Sequence, residues 1–373
     1  MSELITDYRR LFLEDVPLLD ARAPVEFGQG AFPGAVNLPL MNDDERHQVG
    51  LCYKQKGPQA AQALGHRLVS GEVKRERIAA WADFTRRHPQ GALYCFRGGL
   101  RSQIVQQWLS TEAGIDYPRV AGGYKALRGF LIEVLGDAAA HGHFLLLGGL
   151  TGTGKTDLVN RLPMGIDLEG HAHHRGSSFG ARVGGQPTAI DFENRIAIDL
   201  LKKQAKHHNA FVLEDEGRHV GSCGVPLPLR LKTEQAPLVW VEDEFDARVE
   251  RILNDYVIGQ CAEYVAAFGE HAGFDCFAEQ LIASLGRLVR RLGGERHQKL
   301  LSLMQIALEK QRAVADTGAH RAWIAPLMRD YYDPMYAHQR KTKRERIVFT
   351  GDRASSLAYA AQWAERENAK ASR

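Results

Sequence analysis

The chain has 373 residues, of which 44% are hydrophobic and 25% charged, as in folded globular proteins and unlike disordered chains. Its length favours two domains, each able to bury its own core. The formal net charge is only +3, so the overall charge does not by itself indicate a nucleic-acid or membrane partner. The five cysteines are scattered along the chain, which excludes a disulfide scaffold.

The chain shows no signal for a membrane or for export. No stretch approaches the roughly 20 apolar residues that span a bilayer, and the first residues lack the apolar centre of a signal peptide. We therefore expect a cytoplasmic protein without a membrane partner, whose thiols stay reduced.

The first part of the chain alternates short apolar strands with helical stretches. Residues 16–21 and 91–95 are typical of strands that each enter a loop, and residues 73–88 between them are typical of a helix. This alternation predicts a parallel-sheet α/β domain over residues 1–137, with the small polar segment 136–142 as its boundary.

A cysteine-containing loop, Cys95–Ser102, follows the second of these strands and precedes a helical run. Gly98 and Gly99 let the loop curl so that its amides point inward, and Arg97 and Arg101 add positive charge. Arg101 can clamp an oxyanion, and the same field makes Cys95 a nucleophile near neutral pH. The alternative is an inert buried cysteine at a strand end.

Three stretches resemble the signature segments of rhodanese sulfurtransferases, namely 20–27, 30–39 and the cysteine loop. The resemblance implies a rhodanese-like domain in which Cys95 carries the transferred chalcogen. Here five residues separate Cys95 from Arg101, where that family has four, and five is the spacing of cysteine-dependent phosphatases. The wider loop favours a tetrahedral phosphorus compound of sulfur or selenium as the donor. Asp20 and Arg22 are expected to pair locally and to stabilise the fold.

A second α/β cycle begins with the apolar run 143–147 and continues with runs at 210–213 and 237–241, which are typical of buried parallel strands. Between the first run and a helix lies Gly149–Thr156, a full match to G-x-x-x-x-G-K-[ST]. We expect this P-loop to bind a phosphate chain through its amides and Lys155, with Thr156 available to Mg²⁺. The residues assigned to phosphate binding are Gly149, Gly152, Gly154, Lys155 and Thr156. The cycle predicts a P-loop NTPase-like α/β domain over residues 138–262.

Two further polar segments of this domain are candidate site residues. Glu214 and Glu216 follow a strand and are candidates for the metal side of the P-loop, although a solvated acidic turn fits the same pattern. The segment 171–180 holds three histidines, but two are adjacent and no cysteine or acid completes a ligand set, so we expect no metal there. Arg175 and Ser177 are instead candidate substrate contacts.

The last part of the chain, residues 263–373, is predicted to be helical, with leucines and methionine spaced by three and four from Leu281 to Leu308. Between 286 and 346 there are fourteen basic residues and six acidic ones. Tyr331, Tyr332 and Tyr336 precede the densest basic run, a combination that suits RNA backbone and unstacked bases. The residues proposed to contact RNA are Arg340, Lys341, Lys343 and Arg344. A merely solvated helical face is the alternative.

The combination of a rhodanese-like domain with a P-loop domain resembles the tRNA 2-selenouridine synthase family over essentially the whole chain. The stretches that carry this resemblance are 50–55, 95–102, 174–180, 186–187, 192–194 and 332–336. The resemblance implies a transferase that replaces sulfur by selenium in wobble 2-thiouridine of tRNA, with selenophosphate as donor and with geranylation of the sulfur by geranyl diphosphate as an intermediate step. It implies no tightly bound cofactor, and it suggests a selenophosphate-supplying enzyme as a partner.

Two other functions fit parts of the pattern. One is a thiosulfate sulfurtransferase or cysteine-dependent phosphatase fused to a small-molecule kinase, which would turn over ATP without RNA. The other is a non-catalytic RNA-binding regulator that senses a nucleotide. The sequence leaves open whether the P-loop takes geranyl diphosphate or a nucleotide, whether Mg²⁺ is required, and which tRNAs are bound.

Overall fold

A computed structural model of the chain describes residues 3–371 and divides them into two compact units. Unit 1 comprises the residues up to Gly136 together with Thr188–Ala205, and unit 2 comprises Asp137–Pro187 together with the residues from Lys206 onward. Residues 188–205, which the sequence analysis placed in the P-loop domain, thus group with unit 1. Residues 263–373, expected as a third segment, group with the P-loop in unit 2.

The strands are β1 (Leu4–Ile5), β2 (Leu18–Asp20), β3 (Val36–Asn37), β4 (Ala92–Tyr94), β5 (Arg119–Val120), β6 (His143–Gly149), β7 (Gly165–Ile166), β8 (Ala210–Glu214), β9 (His219–Val220), β10 (Cys223–Gly224), β11 (Leu238–Val241) and β12 (Ile347–Gly351). The α-helices are α1 (Tyr8–Leu13), α2 (Pro24–Gly28), α3 (Asp43–Leu68), α4 (Gly71–Arg87), α5 (Leu100–Ala113), α6 (Gly123–His141), α7 (Lys155–Asn160), α8 (Leu168–His171), α9 (Ala189–Ala205), α10 (Leu227–Thr233), α11 (Phe245–Leu253), α12 (Gln260–Phe268), α13 (Glu270–Gly286), α14 (Val289–Leu292), α15 (Gly294–Val314), α16 (Arg321–Leu327), α17 (Asp333–Thr342) and α18 (Arg353–Ala371). Short π-helical turns, Asn254–Gly259 and Met328–Tyr332, precede α12 and α17.

Unit 1 contains a five-stranded sheet in the order β1-β5-β4-β2-β3, in which all paired strands are parallel. The central strands β2 and β4 are buried along their whole length, as expected for a sheet covered on both faces. The predicted strands at 16–21 and 91–95 and the predicted helix at 73–88 are therefore confirmed. The boundary segment 136–142 lies mostly inside α6 rather than in a linker, because alanines continue the helix there.

Polar contacts attach α9 to the rest of unit 1. Asp191 accepts a hydrogen bond from the Ala31 amide at 2.6 Å, and the Asn194 side chain donates to the Ala31 carbonyl at 2.8 Å. The predicted local pairing of Asp20 and Arg22 is confirmed, since both are buried and 2.6 Å apart. The hydrogen bonds of Asp191 and Asn194 with Ala31 explain why the segment around Asn194 belongs with unit 1.

Unit 2 contains a second five-stranded sheet, in the order β12-β11-β6-β8-β7, again with parallel pairing throughout. The predicted apolar strands at 143–147, 210–213 and 237–241 form its centre. The last part of the chain is helical as predicted, but it also returns one strand, β12, to the edge of this sheet. Its alternation of half-buried and exposed residues is typical of an edge strand, and the sequence analysis missed it.

The helices between β11 and β12 have a core of their own. It includes the predicted leucine and methionine stripe, which is buried from Leu281 through Met304 to Leu308. Phe277 and Val257 at its centre are fully buried. Among the helices of the described residues, none is both long and apolar enough to cross a membrane.

Candidate sites at the cysteine loop and the P-loop

Cys95 lies in unit 1, directly after β4 and before α5, where the sequence placed it. Cys95 is buried, with 3% of its surface exposed, and its Sγ donates a hydrogen bond to Ser102 Oγ at 3.3 Å. The Ser102 hydroxyl in turn donates to the Gly99 carbonyl at 3.0 Å. The thiol is therefore held by a side chain of the same loop.

The backbone of the cysteine loop leaves its amides available. Within residues 3–371, no acceptor pairs with the amides of Phe96, Arg97, Gly98 or Gly99. Gly98 has φ of +64°, and a Cβ there would lie 2.7 Å from the Gly122 nitrogen, so only glycine fits. Unsatisfied amides beside a helix start form a concavity suited to an anion.

Arg101, which was predicted to bind an oxyanion, already has an ion-pair partner. Its guanidinium pairs with the buried Glu26 at 2.5 Å, and Glu26 also contacts Arg46 at 3.1 Å. Burial alone would raise the pKa of Glu26, but Arg101 and Arg46 hold it below its ordinary value. An anion in the loop would therefore share Arg101 with Glu26. Arg97, by contrast, is exposed.

The P-loop of unit 2, Gly149–Thr156, joins β6 to α7, which is the context that its sequence predicted. Gly152 and Gly154 have φ of +82° and +73°, in the region that favours glycine. Within residues 3–371, no acceptor pairs with the amides of Thr151, Gly152 or Gly154. These amides are available to a phosphate chain.

Two arginines of α11 hold the P-loop from outside, and the sequence analysis missed both. Arg248 donates to the Thr151 carbonyl at 3.1 Å and is itself fixed by two 2.8 Å bonds to Asp333. Arg251 donates to the Gly152 carbonyl and pairs with Asp243 at 2.9 Å. Their spacing of three along one helix was the only available signal, and it does not specify a partner.

Lys155 lies among groups that stabilise its charge. Its Nζ is 5.8 Å from the centre of the Tyr336 ring. Burial would lower the pKa of Lys155, but Tyr336 and the carboxylates of Glu216 and Glu169 raise it above its ordinary value. Lys155 is therefore a half-buried cation, a state in which it can neutralise phosphate oxygens.

The carboxylates near Lys155 have distinct environments. Glu169, which the sequence analysis missed, accepts a hydrogen bond from Thr156 Oγ1 at 3.0 Å. Glu214 is buried and accepts from the Leu168 amide at 3.2 Å, and burial raises its pKa well above the ordinary value. Burial also raises the pKa of Glu216, while Lys155 opposes the rise. The solvated acidic turn that the sequence left open is therefore wrong for the buried Glu214, whereas Glu216 is half-buried.

Glu169 provides a prediction about stability. Burial, followed by repulsion from Glu216, raises its pKa from 4.5 to about 8. Between these values the folded protein keeps the proton and the unfolded chain releases it, so the free energy of unfolding falls with rising pH by about 1.4 kcal/mol per unit. Denaturant unfolding of Glu169→Gln across this range should show a shallower decline than the parent protein. Equal slopes would contradict the assignment.

The segment 171–180 contacts neighbouring helices of unit 2. Arg175 pairs with Glu263 at 3.0 Å, and its carbonyl accepts from the Tyr256 hydroxyl at 2.9 Å. Ser177 Oγ accepts a bond from the Phe179 amide at 3.1 Å. Residues 3–371 contain no group of three or more His, Cys, Asp or Glu side chains arranged to hold a metal. Arg175 and Ser177 thus have structural partners, and their substrate role stays a prediction.

The basic run at 340–344 is only partly available to a ligand. Arg340 pairs with Glu242 at 3.0 Å, and Lys343 pairs with Asp215 at 2.6 Å. Lys341 and Arg344 are exposed, and neither has a carboxylate partner within residues 3–371. These two are the candidates that remain free to contact a phosphate backbone.

Two of the three tyrosines before this run, Tyr332 and Tyr336, are not a surface for stacking bases, whereas Tyr331 is half-buried. Tyr332 is buried in the helical core, and Tyr336 lies against Lys155. Asp333, between them, fixes Arg248 behind the P-loop. The segment 332–336 therefore builds the P-loop site, because packing against that loop places these side chains inward.

Comparisons with known proteins identify a family to which this chain is similar. Residues 142–367 match a family model described as the tRNA 2-selenouridine synthase AAA domain. A protein named tRNA 2-selenouridine synthase from Verminephrobacter eiseniae is 65% identical, over 94% of this chain and 96% of its own length. Proteins of the same name from Bordetella petrii and Pseudomonas fluorescens are 62% and 61% identical, over 95% and 97% of this chain and 94% and 98% of theirs.

Proposed function

Since the chain belongs to the tRNA 2-selenouridine synthase family and is a transferase acting on tRNA, we propose that it exchanges sulfur for selenium in wobble 2-thiouridine through an S-geranyl intermediate. Selenophosphate supplies the selenium, and geranyl diphosphate supplies the alkyl group. The tRNA substrate and five free cysteines fit a cytoplasmic reaction, and a selenophosphate-producing enzyme would be its supplier.

The observation that carries the selenium step is a thiol beside a loop of available amides in a parallel-sheet unit, which also supports a rhodanese-like origin for unit 1. Selenium in selenophosphate is already at the oxidation level of selenide, so a perselenide on Cys95 would need an oxidant. The redox-neutral route is attack of the Cys95 thiolate on phosphorus. The S–P bond forms, the P–Se bond breaks, selenide leaves, and water later hydrolyses the S–P bond to phosphate and thiol.

The released selenide completes the exchange at the nucleoside. A C2–Se bond forms, the C2–S bond breaks, and the geranyl thiolate leaves and takes up the proton carried by the selenide. Alkylation makes this possible because an S-alkyl group converts the thiocarbonyl sulfur into a thiolate leaving group. Arg101 and the loop amides would hold the phosphate end of the donor.

The P-loop is our proposed site for the diphosphate of the geranyl donor. Its available amides and the charged Lys155 fit a leaving diphosphate without any need for ATP hydrolysis. A small cavity of about 20 Å³ is lined by Thr151 of the P-loop. Most of its other walls are apolar and include Phe179, Trp323 and Met328. A geranyl chain is larger than this space, so its entry requires the walls to move apart.

Thr156 and Glu169 would hold a Mg²⁺ ion once Glu169 has released its proton, since this ion binds oxygen and usually takes one or two carboxylates together with substrate phosphates and water. When bound, it would neutralise charge on the diphosphate. Arg175 and Ser177, in the neighbouring segment, would contact the substrate.

Nucleoside mass spectrometry of tRNA from cells with and without this protein tests the function. We expect 2-selenouridine and S-geranyl-2-thiouridine only when the protein is present, with the selenium product dependent on selenophosphate. An unchanged nucleoside profile would remove the proposal.

For tRNA binding we expect Lys341 and Arg344 to contact phosphates. Replacing both by alanine should reduce the slope of log Kd against log salt by about two, because each phosphate contact contributes about 0.9. Salt titrations of tRNA binding measure this slope. Arg312→Ala is the matched control, since Arg312 is ion-paired with Asp275. A slope unchanged in the double variant would exclude these residues from the contact.

A further inference from the structure

Unit 1 contains an apolar cavity of about 190 Å³ that the functions proposed above leave unexplained. It lies between α3, which bends at Gly57 and Pro58, and the first turns of α5. Its walls include Met41, Val49, Ala61, Ile104 and Trp108, and Arg101 is the only Lys, Arg, Asp or Glu residue that lines it. Apolar cavities of about 150 Å³ stay dry and bind small hydrocarbons.

The cavity adjoins the cysteine loop. Leu100 and Arg101, which line it, belong to the loop Cys95–Ser102. Leu100 and Tyr53 are 49% and 59% exposed, so large apolar side chains are open to solvent at its edge. A ligand here would therefore place an apolar body in the cavity and a polar end near the loop.

We propose that this cavity binds the aliphatic chain of S-geranyl-2-thiouridine while selenium replaces its sulfur. The inference rests on the proposed function, in which the sulfur that leaves carries this chain. Because the chain is bonded directly to the reacting sulfur, a reaction at the cysteine loop requires an apolar space beside that loop. Each methylene buried in such a space strengthens binding about fourfold. This cavity belongs to unit 1, whereas the proposed site for the diphosphate of the donor is the P-loop of unit 2.

The test uses geranyl thiol as the probe and the full-length protein. We expect saturable binding by calorimetry, and we expect Ala61→Phe, which fills the cavity, to weaken it by at least about tenfold. Ala63→Phe is the matched control, because Ala63 is exposed on the same helix. The inference is overturned if the parent protein does not bind the thiol or if Ala61→Phe binds it equally well.

A second variant keeps the test decisive should Ala61→Phe fail to fold. Ile104→Ala enlarges the cavity, and we expect it to raise the preference for farnesyl thiol over geranyl thiol by about fivefold. An unchanged preference would count against the cavity as the binding site. A photoreactive alkyl thiol should label α3 and α5 of the parent protein, and labelling confined to other elements would overturn the proposal.

Separate assays distinguish failure of this inference from failure of the proposed function. With tRNA that is already geranylated, Ala61→Phe should lose selenium transfer by at least about tenfold and keep geranyl transfer to unmodified 2-thiouridine tRNA. Selenium transfer that never passes through geranylated tRNA would defeat the proposed function, and with it this use of the cavity. Loss of both activities in Ala61→Phe but neither in Ala63→Phe would place the cavity in the donor step and overturn the inference.

Discussion

Replacing Cys95 by serine is expected to reduce selenium transfer from selenophosphate to tRNA by at least about a thousandfold. A serine hydroxyl is almost fully protonated near neutral pH and is a poor nucleophile towards phosphorus when no base faces it. Within residues 3–371 the hydrogen-bond partners of Cys95 Sγ are Ser102 and the Gly99 carbonyl, and neither is such a base. The measurement is selenium in purified tRNA, read by nucleoside mass spectrometry.

The same variant should keep geranyl transfer, because that step is assigned to the P-loop. Cys52→Ser is the matched control, since Cys52 is also a free cysteine of unit 1 but lies outside the cysteine loop. A Cys95→Ser protein that still transfers selenium within about threefold of the parent rate would remove covalent catalysis by Cys95. A trapped phosphocysteine on Cys95 in the parent protein would support attack on phosphorus directly.

Local sequence was sufficient to predict the buried strands β2, β4, β6, β8 and β11 and both loops, although it did not indicate the edge strand β12. An apolar run such as 143–147 is shielded from water only in a buried element. Glycines at the P-loop spacing between a strand and a helix are specific for a phosphate-binding loop. The leucine and methionine stripe could be predicted for the same reason, because its spacing of three and four is visible in the sequence itself. In each of these cases the residues that determine the structure are neighbours in the chain.

The partners of these residues could not be predicted, because they come from distant segments. Glu26 reaches Arg101 across 75 positions, and Arg248 reaches Asp333 across 85. The tyrosines at 332 and 336 were predicted to face RNA because their composition suits it, but tertiary packing turned them inward. Likewise, half of the proposed RNA-binding residues turned out to be paired with acids that their sequence neighbourhood does not contain.

Replacing Lys155 by alanine is expected to weaken geranyl diphosphate binding and lower geranyl transfer by at least about a hundredfold. The variant removes the cation that would face the diphosphate, so this side chain would no longer neutralise the charge on the donor's oxygens. Binding by calorimetry and geranyl transfer to 2-thiouridine tRNA are the two measurements.

Selenium transfer to pre-geranylated tRNA should survive in Lys155→Ala, which separates the P-loop step from the cysteine step. Lys206→Ala, an exposed lysine of the same unit, is the control for loss of a positive charge. Unchanged geranylation in Lys155→Ala would exclude the P-loop as the diphosphate site. The alternative outcome is that the protein binds ATP in place of geranyl diphosphate and hydrolyses it, and that Lys155→Ala abolishes the hydrolysis. This result would assign the loop to a nucleotide, because the same amides and lysine would then bind the phosphates of that nucleotide.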